Sequence, residues 1–126
     1  MLQPPLTVEK LLAANEEFNE DSIRALAAVY HPNVKFRDAI QSLEGRDEFI
    51  EMNLRMVRKM DVSFELLHIA EAPGVIFQSW NMELATRGRK RRVMALNGAT
   101  ELELDEDGMV ISHTDHWDLW GPVWDG

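Results

Sequence analysis

The stretch Met109-Val110-Ile111-Ser112-His113-Thr114-Asp115-His116-Trp117-Asp118, near the end of the chain, decides the fold. It alternates in polarity, and side chains along a strand alternate between the two faces of a sheet. Met109, Ile111, His113, Asp115 and Trp117 therefore share one face, which begins apolar and is expected to face a core. Ionisable groups on such a face need partners, a cavity or a catalytic role. His113 and Asp115 are thus candidate functional residues.

The length and composition limit the class of protein. The 126 residues suit one domain, so a single domain over residues 1–126 is predicted. The chain has no cysteine, which excludes disulfides, zinc-thiolate sites and a cysteine nucleophile. The formal net charge of -9 disfavours nucleic acid and anionic membranes as partners and favours a small molecule or a protein. No signal peptide and no apolar run of about 20 residues is visible, so a cytoplasmic protein without membrane contact is expected.

Hydrophobic spacing predicts three helices before the strand-rich half of the chain. The first contains Leu11, Leu12 and Phe18. The second runs from Ser22 to Tyr30, is capped by Asp21 and is ended by His31-Pro32-Asn33, because a residue before proline avoids helical angles. The third runs from about Arg46 to Met60, after a turn at Leu43-Glu44-Gly45.

Alternating polarity predicts five strands. A short one, Val34 to Asp38, precedes the third helix; the others are Val62 to Ala70, Val75 to Thr86, Val93 to Leu104 and the opening stretch. Helices followed by a run of strands indicate an α+β fold with helices packed on one face of an antiparallel sheet. A strongly curved sheet with three helices across its concave face would form a cone, whose inner end can remain open as a pocket.

Several segments along the chain together resemble the nuclear transport factor 2-like superfamily, in particular its SnoaL-like polyketide cyclase and ketosteroid-isomerase-like branches. The resemblance covers about Val8 to Leu119. The segments that carry it are Tyr30 to Asp38, Leu43 to Asp47, Trp80-Asn81-Met82-Glu83 and Asp107 to Asp118. The resemblance implies a cone-shaped α+β fold, and the superfamily includes isomerases, cyclases, dehydratases, epoxide hydrolases and pure binding modules.

Two carboxylates are the candidate catalysts. Asp38 is in phase with Val34 and Phe36, and the resemblance places it at the general-base position of ketosteroid-isomerase-like proteins. Asp115 resembles the acid or base of the cyclases and epoxide hydrolases. Asp38 could equally cap the turn that follows it, and Asp115 could be a buried structural carboxylate. His113 would shuttle a proton or orient Asp115.

Strand phase predicts which residues line the pocket. They are Phe36, Asp38, Trp80, Met82, Leu96, Thr100, His113, Asp115 and Trp117. The leading hypothesis is a cofactor-free enzyme of isomerase, cyclase or lyase type, acting by proton transfer on a small apolar carbonyl compound. The alternatives are a non-catalytic ligand-binding or interaction module and an epoxide hydrolase.

The known site patterns of the superfamily are incomplete in this chain. Ala13 and Thr100 stand near the positions of the tyrosine and the protonated acid that form the oxyanion hole of ketosteroid isomerase, a site that is itself a standard example of a neutral carboxylic acid. Trp80, Asn81 and Met82 stand where the epoxide hydrolases have an arginine and an aspartate, although Asn81 could supply a polar group.

Metal and nucleic-acid binding are not expected. His113 and Asp115 could supply two metal ligands, but no third is evident. The basic run Arg87 to Arg92 is more typical of a solvated hairpin tip than of a nucleic-acid contact. Trp117, Trp120 and Trp124 would either close the pocket or pack against a second copy of the chain. The resemblance implies a homodimer, because members of that superfamily often dimerise through the outer face of the sheet.

Overall fold

The computed structural model describes Leu11 and residues 17–117 as helices packed on a six-stranded sheet. The strands are β1 (Tyr30–Arg37), β2 (Ser42–Glu44), β3 (Met60–Ala72), β4 (Val75–Thr86), β5 (Val93–Leu104) and β6 (Val110–Trp117). The helices are α1 (Glu20–Ala25), a 3-10 turn (Leu26–Ala28) and α2 (Arg46–Lys59). The α+β class is confirmed. No helix within these ranges is long and apolar enough to cross a membrane.

The strand order in the sheet is β2-β1-β6-β5-β4-β3. Strands β3 to β6 form an antiparallel meander, and β1 and β2 are also antiparallel, but β1 pairs with β6 in parallel. The prediction of a wholly antiparallel sheet is therefore wrong, and the sheet is mixed. Local periodicity reports which face a side chain occupies and carries no information about the direction of a neighbour that is distant in sequence.

The second helix begins and ends earlier than predicted. Its N-cap is Asn19 and not Asp21: the Asn19 side chain accepts from the Ser22 backbone at 2.9 Å, and the Ser22 hydroxyl accepts from the Asn19 backbone at 3.0 Å. This reciprocal capping box satisfies two otherwise unpaired backbone donors. The helix ends at Ala25, and the 3-10 turn leads to Tyr30, which is the first residue of β1 and not the end of the helix.

The segment His31-Pro32-Asn33 lies inside β1 and does not separate it from the helix. Tyr30 pairs with Val110 and Lys35 pairs with Ser112, so β1 carries extra residues at this point. Proline lacks a backbone donor and is tolerated where a strand departs from regular pairing. Pro32 therefore marks the irregular pairing within β1 and not the end of a helix.

A bulge also changes the phase of β6. Leu104 pairs with Val110 and Glu103 pairs with Ser112, which leaves Ile111 without a partner in β5. Val110 is fully buried in the core, whereas Ile111 is only partly buried. The expectation that Met109 and Ile111 begin the core-facing set is wrong, because one inserted residue reverses the alternation. Beyond the bulge, His113 and Asp115 face inward as predicted.

The core lies between α2 and the face of the sheet that we call the inner face. Phe49 of α2 belongs to it, together with Phe36, Ile76, Leu102 and Val110 from the strands. The predicted first helix and the tryptophans at 120 and 124 lie largely or wholly outside the described residues. The cone shape and the number of three helices stay predictions.

Candidate active site

A row of polar side chains crosses the inner face. Gln78 of β4 pairs with Thr100 of β5, and Thr100 pairs with Asp115 of β6. Directly paired residues on neighbouring antiparallel strands point to the same face. The two adjacent rows are Ile76, Leu102, His113 and Trp80, Gly98, Trp117. The polar row is therefore flanked by mainly apolar and aromatic side chains.

A cavity of about 380 Å³ opens above this row. Its lining includes all nine residues that strand phase assigned to a pocket, namely Phe36, Asp38, Trp80, Met82, Leu96, Thr100, His113, Asp115 and Trp117. Its lining also includes Tyr30, Phe49, Asn53 and Gln78, which the sequence reasoning did not assign to it. The structure thus brings Asp38 and Asp115 to one cavity.

A chain of hydrogen bonds runs through the site. The Trp80 indole nitrogen donates to Thr100 Oγ1 at 2.8 Å, and the Thr100 hydroxyl donates to Asp115 Oδ1 at 2.6 Å. His113 Nε2 lies 2.7 Å from the same Oδ1, and the Tyr30 hydroxyl lies 2.7 Å from His113 Nδ1. Both bonds to Asp115 end on one oxygen. No described residue donates a hydrogen bond to the other oxygen, Oδ2.

The electrostatics of Asp115 favour its charged form. Burial by itself raises the pKa of the Asp115 carboxyl. The charge of His113, the hydrogen bonds from His113 and Thr100 and the charge of His116 outweigh burial, and they lower the pKa below its ordinary value of 3.8. An ionised carboxylate only accepts, so His113 Nε2 carries a proton and donates it. The role of Nδ1 follows from the state of the ring: it accepts from the Tyr30 hydroxyl in neutral His113 and donates to the Tyr30 oxygen in protonated His113.

Tyr30 is held in its protonated form. Burial, together with the nearby negative charge of Asp115, raises the pKa of the Tyr30 hydroxyl well above 10.0. The ring stacks on Phe49 with 4.7 Å between ring centroids. Phe36 and Phe49 also contact the His113 ring, at centroid distances of 5.0 and 5.1 Å. The imidazole is therefore fixed by packing as well as by two hydrogen bonds.

Asp38 lies at the end of β1, in a turn. Its Oδ1 accepts from the backbone nitrogens of Ile40 and Gln41, each at 2.9 Å, and its Oδ2 accepts from the Gln41 side chain at 3.2 Å. This is the turn-capping arrangement that aspartate commonly adopts. Both oxygens of Asp38 are occupied, whereas Asp115 has one oxygen without a partner among the described residues.

Gly98 makes room for the indole of Trp80. A Cβ at Gly98 would lie 2.5 Å from Trp80 Cη2, 2.7 Å from Trp80 Cζ2 and 2.8 Å from the backbone oxygen of His116. Only glycine permits this approach. Gly98 thus lets Trp80 lie across β5 within reach of Thr100.

Two polar residues considered from the sequence lie elsewhere. Asn81 is exposed and its side chain accepts from Asn97 at 2.8 Å, so it does not line the cavity and supplies no polar group for epoxide hydrolysis. A register shift between Leu66 and His68 pairs His68 with Ser79, which leaves His68 exposed. In contrast, Gln78 shares the phase of Trp80 and Met82, and that signal was present in the sequence.

Within the ranges that the structure describes, no three histidine or acidic side chains are grouped so as to hold a metal ion. His113 and Asp115 bond to each other, and His116, which follows on the outer side, lies 3.8 Å from Glu101. The polar groups of the site therefore form hydrogen bonds with one another and with the Asp115 carboxylate.

Solved structures share this fold at low sequence identity. A protein assigned as a SnoaL-like polyketide cyclase from Shewanella putrefaciens has a TM-score of 0.75 at 18% identity, covering 98% of this chain and 96% of its own. A protein of ketosteroid isomerase-like fold from Catenulispora acidiphila, in complex with trimethylamine, has a TM-score of 0.75 at 17% identity, covering 97% and 92%. An LEH-like epoxide hydrolase from M. tuberculosis has a TM-score of 0.72 at 13% identity, covering 94% and 86%.

Sequence comparison identifies a family. No curated protein matches the sequence. The model of a family described as "Uncharacterized conserved protein (DUF2358)" matches residues 12–113, which include β1 to β5 and the first half of β6, as far as His113. The chain therefore belongs to the DUF2358 family, and its fold is that of the nuclear transport factor 2-like superfamily.

Proposed function

We propose that this protein is a cofactor-free enzyme that transfers a proton on a small, mostly apolar, carbonyl-containing molecule, with Asp115 as the general base. The observation that carries the proposal is the asymmetry of the Asp115 carboxylate. Thr100 and His113 hold Oδ1, while Oδ2 has no partner among the described residues and the side chain lines the cavity. A positioned carboxylate with one free oxygen can accept a proton.

The step that this geometry supports is removal of a proton from the carbon next to the carbonyl. The C–H bond breaks, its proton passes to Asp115 Oδ2, and its electron pair forms the carbon–carbon double bond of an enolate as the carbonyl electrons move to oxygen. Return of the proton to another position would give isomerisation. Attack of the enolate carbon on a second carbonyl within the same molecule would give cyclisation: the new carbon–carbon bond forms as the π electrons of that carbonyl move to its oxygen, which takes the proton back from Asp115.

Thr100 and His113 have positioning roles in this proposal. Thr100 accepts from Trp80 and donates to Asp115, so its hydroxyl is oriented from both sides. Both ring nitrogens of His113 have partners, Tyr30 and Asp115, which leaves neither for direct contact with a substrate. A lowered pKa keeps Asp115 ionised across the neutral range, so the carboxylate can accept a proton, although a lower pKa also makes it a weaker base.

Similar structures support a catalytic use of the fold. They include proteins assigned as SnoaL-like polyketide cyclases and an LEH-like epoxide hydrolase. A further one is an epoxide hydrolase/cyclase-like enzyme, SalBIII, with a role in pyran ring formation. Proton transfer by carboxylates is compatible with ring formation, so this likeness favours a cyclase or an isomerase.

The test is exchange of the acidic protons of uncharged cyclic ketones, with 2-tetralone as the first probe, followed by NMR in D₂O. Asp115→Asn keeps the shape of the side chain and removes the base, so catalysed exchange is expected to fall by about 10²-fold or more. Circular dichroism and thermal unfolding check that the variant is folded.

Asp38→Asn is the matched comparison, because asparagine also caps turns of this type. We expect it to retain catalysed exchange within about threefold, since the Asp38 oxygens are used by Ile40 and Gln41. Loss of exchange in Asp38→Asn with full exchange in Asp115→Asn would reverse the roles. Full activity in both variants would show that neither carboxylate is the base.

A non-catalytic ligand-binding module is the second candidate. The lowered pKa of Asp115 favours it, because a carboxylate that is a weak base in the free protein is a slow proton acceptor. This candidate predicts that uncharged ketones bind while their protons exchange no faster than in buffer alone. The same exchange experiment therefore separates the two candidates.

A further inference from the structure

Gln78 is a buried polar side chain to which no described residue donates or offers a hydrogen bond. The residue is only 6% exposed, and its Nε2 has no hydrogen-bond partner among the described residues. Its place opposite Thr100 in the sheet sets its side chain on the inner face, where it lines the cavity.

An unpaired buried amide needs a physical explanation, because nearly all buried donors are paired and an unpaired one is unfavourable. Asn53, the other amide side chain that is similarly buried in the cavity wall, has a partner for its donor: Nδ2 donates to the Phe49 backbone oxygen at 2.9 Å. The Gln78 side chain lines the cavity, but Nε2 itself is almost fully covered. No described residue forms a hydrogen bond with this amide, so rotation of the terminal amide breaks no such bond and brings the donor to the cavity, where a ligand oxygen would pair it.

The position of Gln78 relative to Asp115 suits a ligand with an oxygen and an acidic C–H bond. The two residues lie on either side of Thr100, so their backbones are two strand spacings apart, about 10 Å. Both side chains extend toward the cavity between them. A small ligand can therefore reach Gln78 with an oxygen atom while a neighbouring carbon faces Asp115.

The charge of the lining limits the ligand further. Among the described residues, the cavity lining contains two carboxylates, Asp38 and Asp115, and no lysine or arginine. An anionic ligand would meet these two negative charges in surroundings that are largely apolar, while both ring nitrogens of His113 are already paired with Tyr30 and Asp115. The lining favours a ligand without negative charge.

We propose that Gln78 is a ligand-binding residue, whose Nε2 donates a hydrogen bond to an oxygen of an uncharged, mostly apolar ligand. The inference rests on the proposed function and names its substrate class, an uncharged ketone or related carbonyl compound. In the proton transfer, negative charge develops on the carbonyl oxygen, and a donor fixed beside that oxygen stabilises it. Gln78 would thus supply a donor in the absence of the tyrosine and protonated acid of ketosteroid isomerase.

The test compares the binding of three probes of nearly the same shape: 2-tetralone, tetralin and tetralin-2-carboxylate. Dissociation constants are measured by tryptophan fluorescence, since Trp80 and Trp117 line the cavity. We expect the wild type to prefer the ketone to the hydrocarbon and to bind the carboxylate most weakly. Gln78→Leu and Gln78→Met are each expected to reduce the preference for the ketone over the hydrocarbon by about five- to tenfold.

Asn53→Leu is the matched control, because it removes an amide whose donor is already used by Phe49. It is expected to change the affinities for ketone and hydrocarbon by the same factor and to leave their ratio unchanged. Without ligand, Gln78→Leu is expected to raise Tm by about 3 °C, because an unpaired buried amide is replaced by an apolar side chain.

The inference is overturned by an unchanged ketone preference in both Gln78 variants, by tighter binding of the carboxylate than of the ketone, or by no binding of the ketone to the wild type. Binding is measured without turnover, so the result is independent of the base. If the Gln78 variants lose the ketone preference while the wild type exchanges no protons, the binding role of Gln78 stands and the proposed enzymatic function fails.

Discussion

At the scale of single residues, burial and the neighbouring side chains have opposite effects on the pKa of Asp115. Burial raises its pKa, and the surrounding charges and hydrogen bonds lower it by more. Thr100 contributes one of these hydrogen bonds and also accepts from the Trp80 indole nitrogen. Removal of its hydroxyl would therefore affect two buried groups at once.

Thr100→Val is expected to lower the free energy of unfolding by about 2 kcal/mol, because the indole nitrogen of Trp80 and Oδ1 of Asp115 each lose a buried partner. Thr100→Ser keeps the hydroxyl and is expected to lose less than half as much. Urea unfolding at pH 7 measures both variants. Equal losses in the two variants would show that the methyl group, and not the hydroxyl, stabilises this position.

The pH dependence of stability follows from the same carboxylate. Because the pKa of Asp115 is lower in the folded than in the unfolded protein, its interactions stabilise the fold above pH 3.8 and are lost as the pH falls below that value. Asp115→Asn is expected to lack this part of the acid destabilisation. Thermal unfolding of both proteins between pH 6 and pH 3 measures the difference, and parallel curves would contradict the prediction.

At the scale of an element, β5 is shaped by its single glycine. Gly98 lies in the row of Trp80 and Trp117, and the indole of Trp80 occupies the space beside its backbone.

The basic run contacts the end of a helix. Arg87 donates to the backbone oxygens of Val57 and Arg58 at 3.1 and 2.8 Å, at the end of α2. Part of the basic run is thus a helix C-terminal contact, for which arginine is suited.

Gly98→Ala is expected to destabilise the protein by about 1–3 kcal/mol, because the new Cβ displaces the Trp80 indole and also meets a backbone oxygen. Ala99→Val is the control: it enlarges an exposed side chain on the next residue and is expected to change stability by about 0.5 kcal/mol or less. Unfolding in urea is measured, with tryptophan fluorescence reporting the Trp80 environment. Equal stability of both variants would show that β5 can shift to accept a side chain.

At the scale of the whole molecule, the candidate site and the exposed apolar surface lie in different places. The inner face carries the site, and large apolar side chains remain exposed elsewhere, among them Phe77 at 47% and Leu67 at 39%. Exposed apolar surface of this kind commonly marks an interface. The homodimer predicted from the sequence stays a prediction, as does the cytoplasmic location.

Light scattering after size exclusion tests the homodimer. The wild type is expected to have twice the mass of the chain, and Phe77→Glu is expected to be a monomer, because a charge at a buried interface is unfavourable. Val93→Glu alters a side chain that is 59% exposed near the other end of the same strand pair and is expected to remain dimeric. A monomeric wild type would contradict the prediction.

The sequence by itself determined the class of fold and part of the cavity lining. Strands β4 and β5 have the predicted bounds, and the nine residues assigned to a pocket by alternation line one cavity. This works because the alternation of side chains is local: residues two apart along a regular strand share a face whatever the strand pairs with. Family resemblance added Asp38 and Asp115 as candidate catalysts.

Only the tertiary structure decided which of these residues meet and how. The parallel pairing of β1 with β6, the bulge at Ile111 and the row of Gln78, Thr100 and Asp115 depend on register between strands far apart in sequence. The distinction between the two carboxylates also arose there, since it rests on their hydrogen-bond partners. Pairing and register follow from the free energy of packing the whole sheet, and no local pattern encodes that quantity.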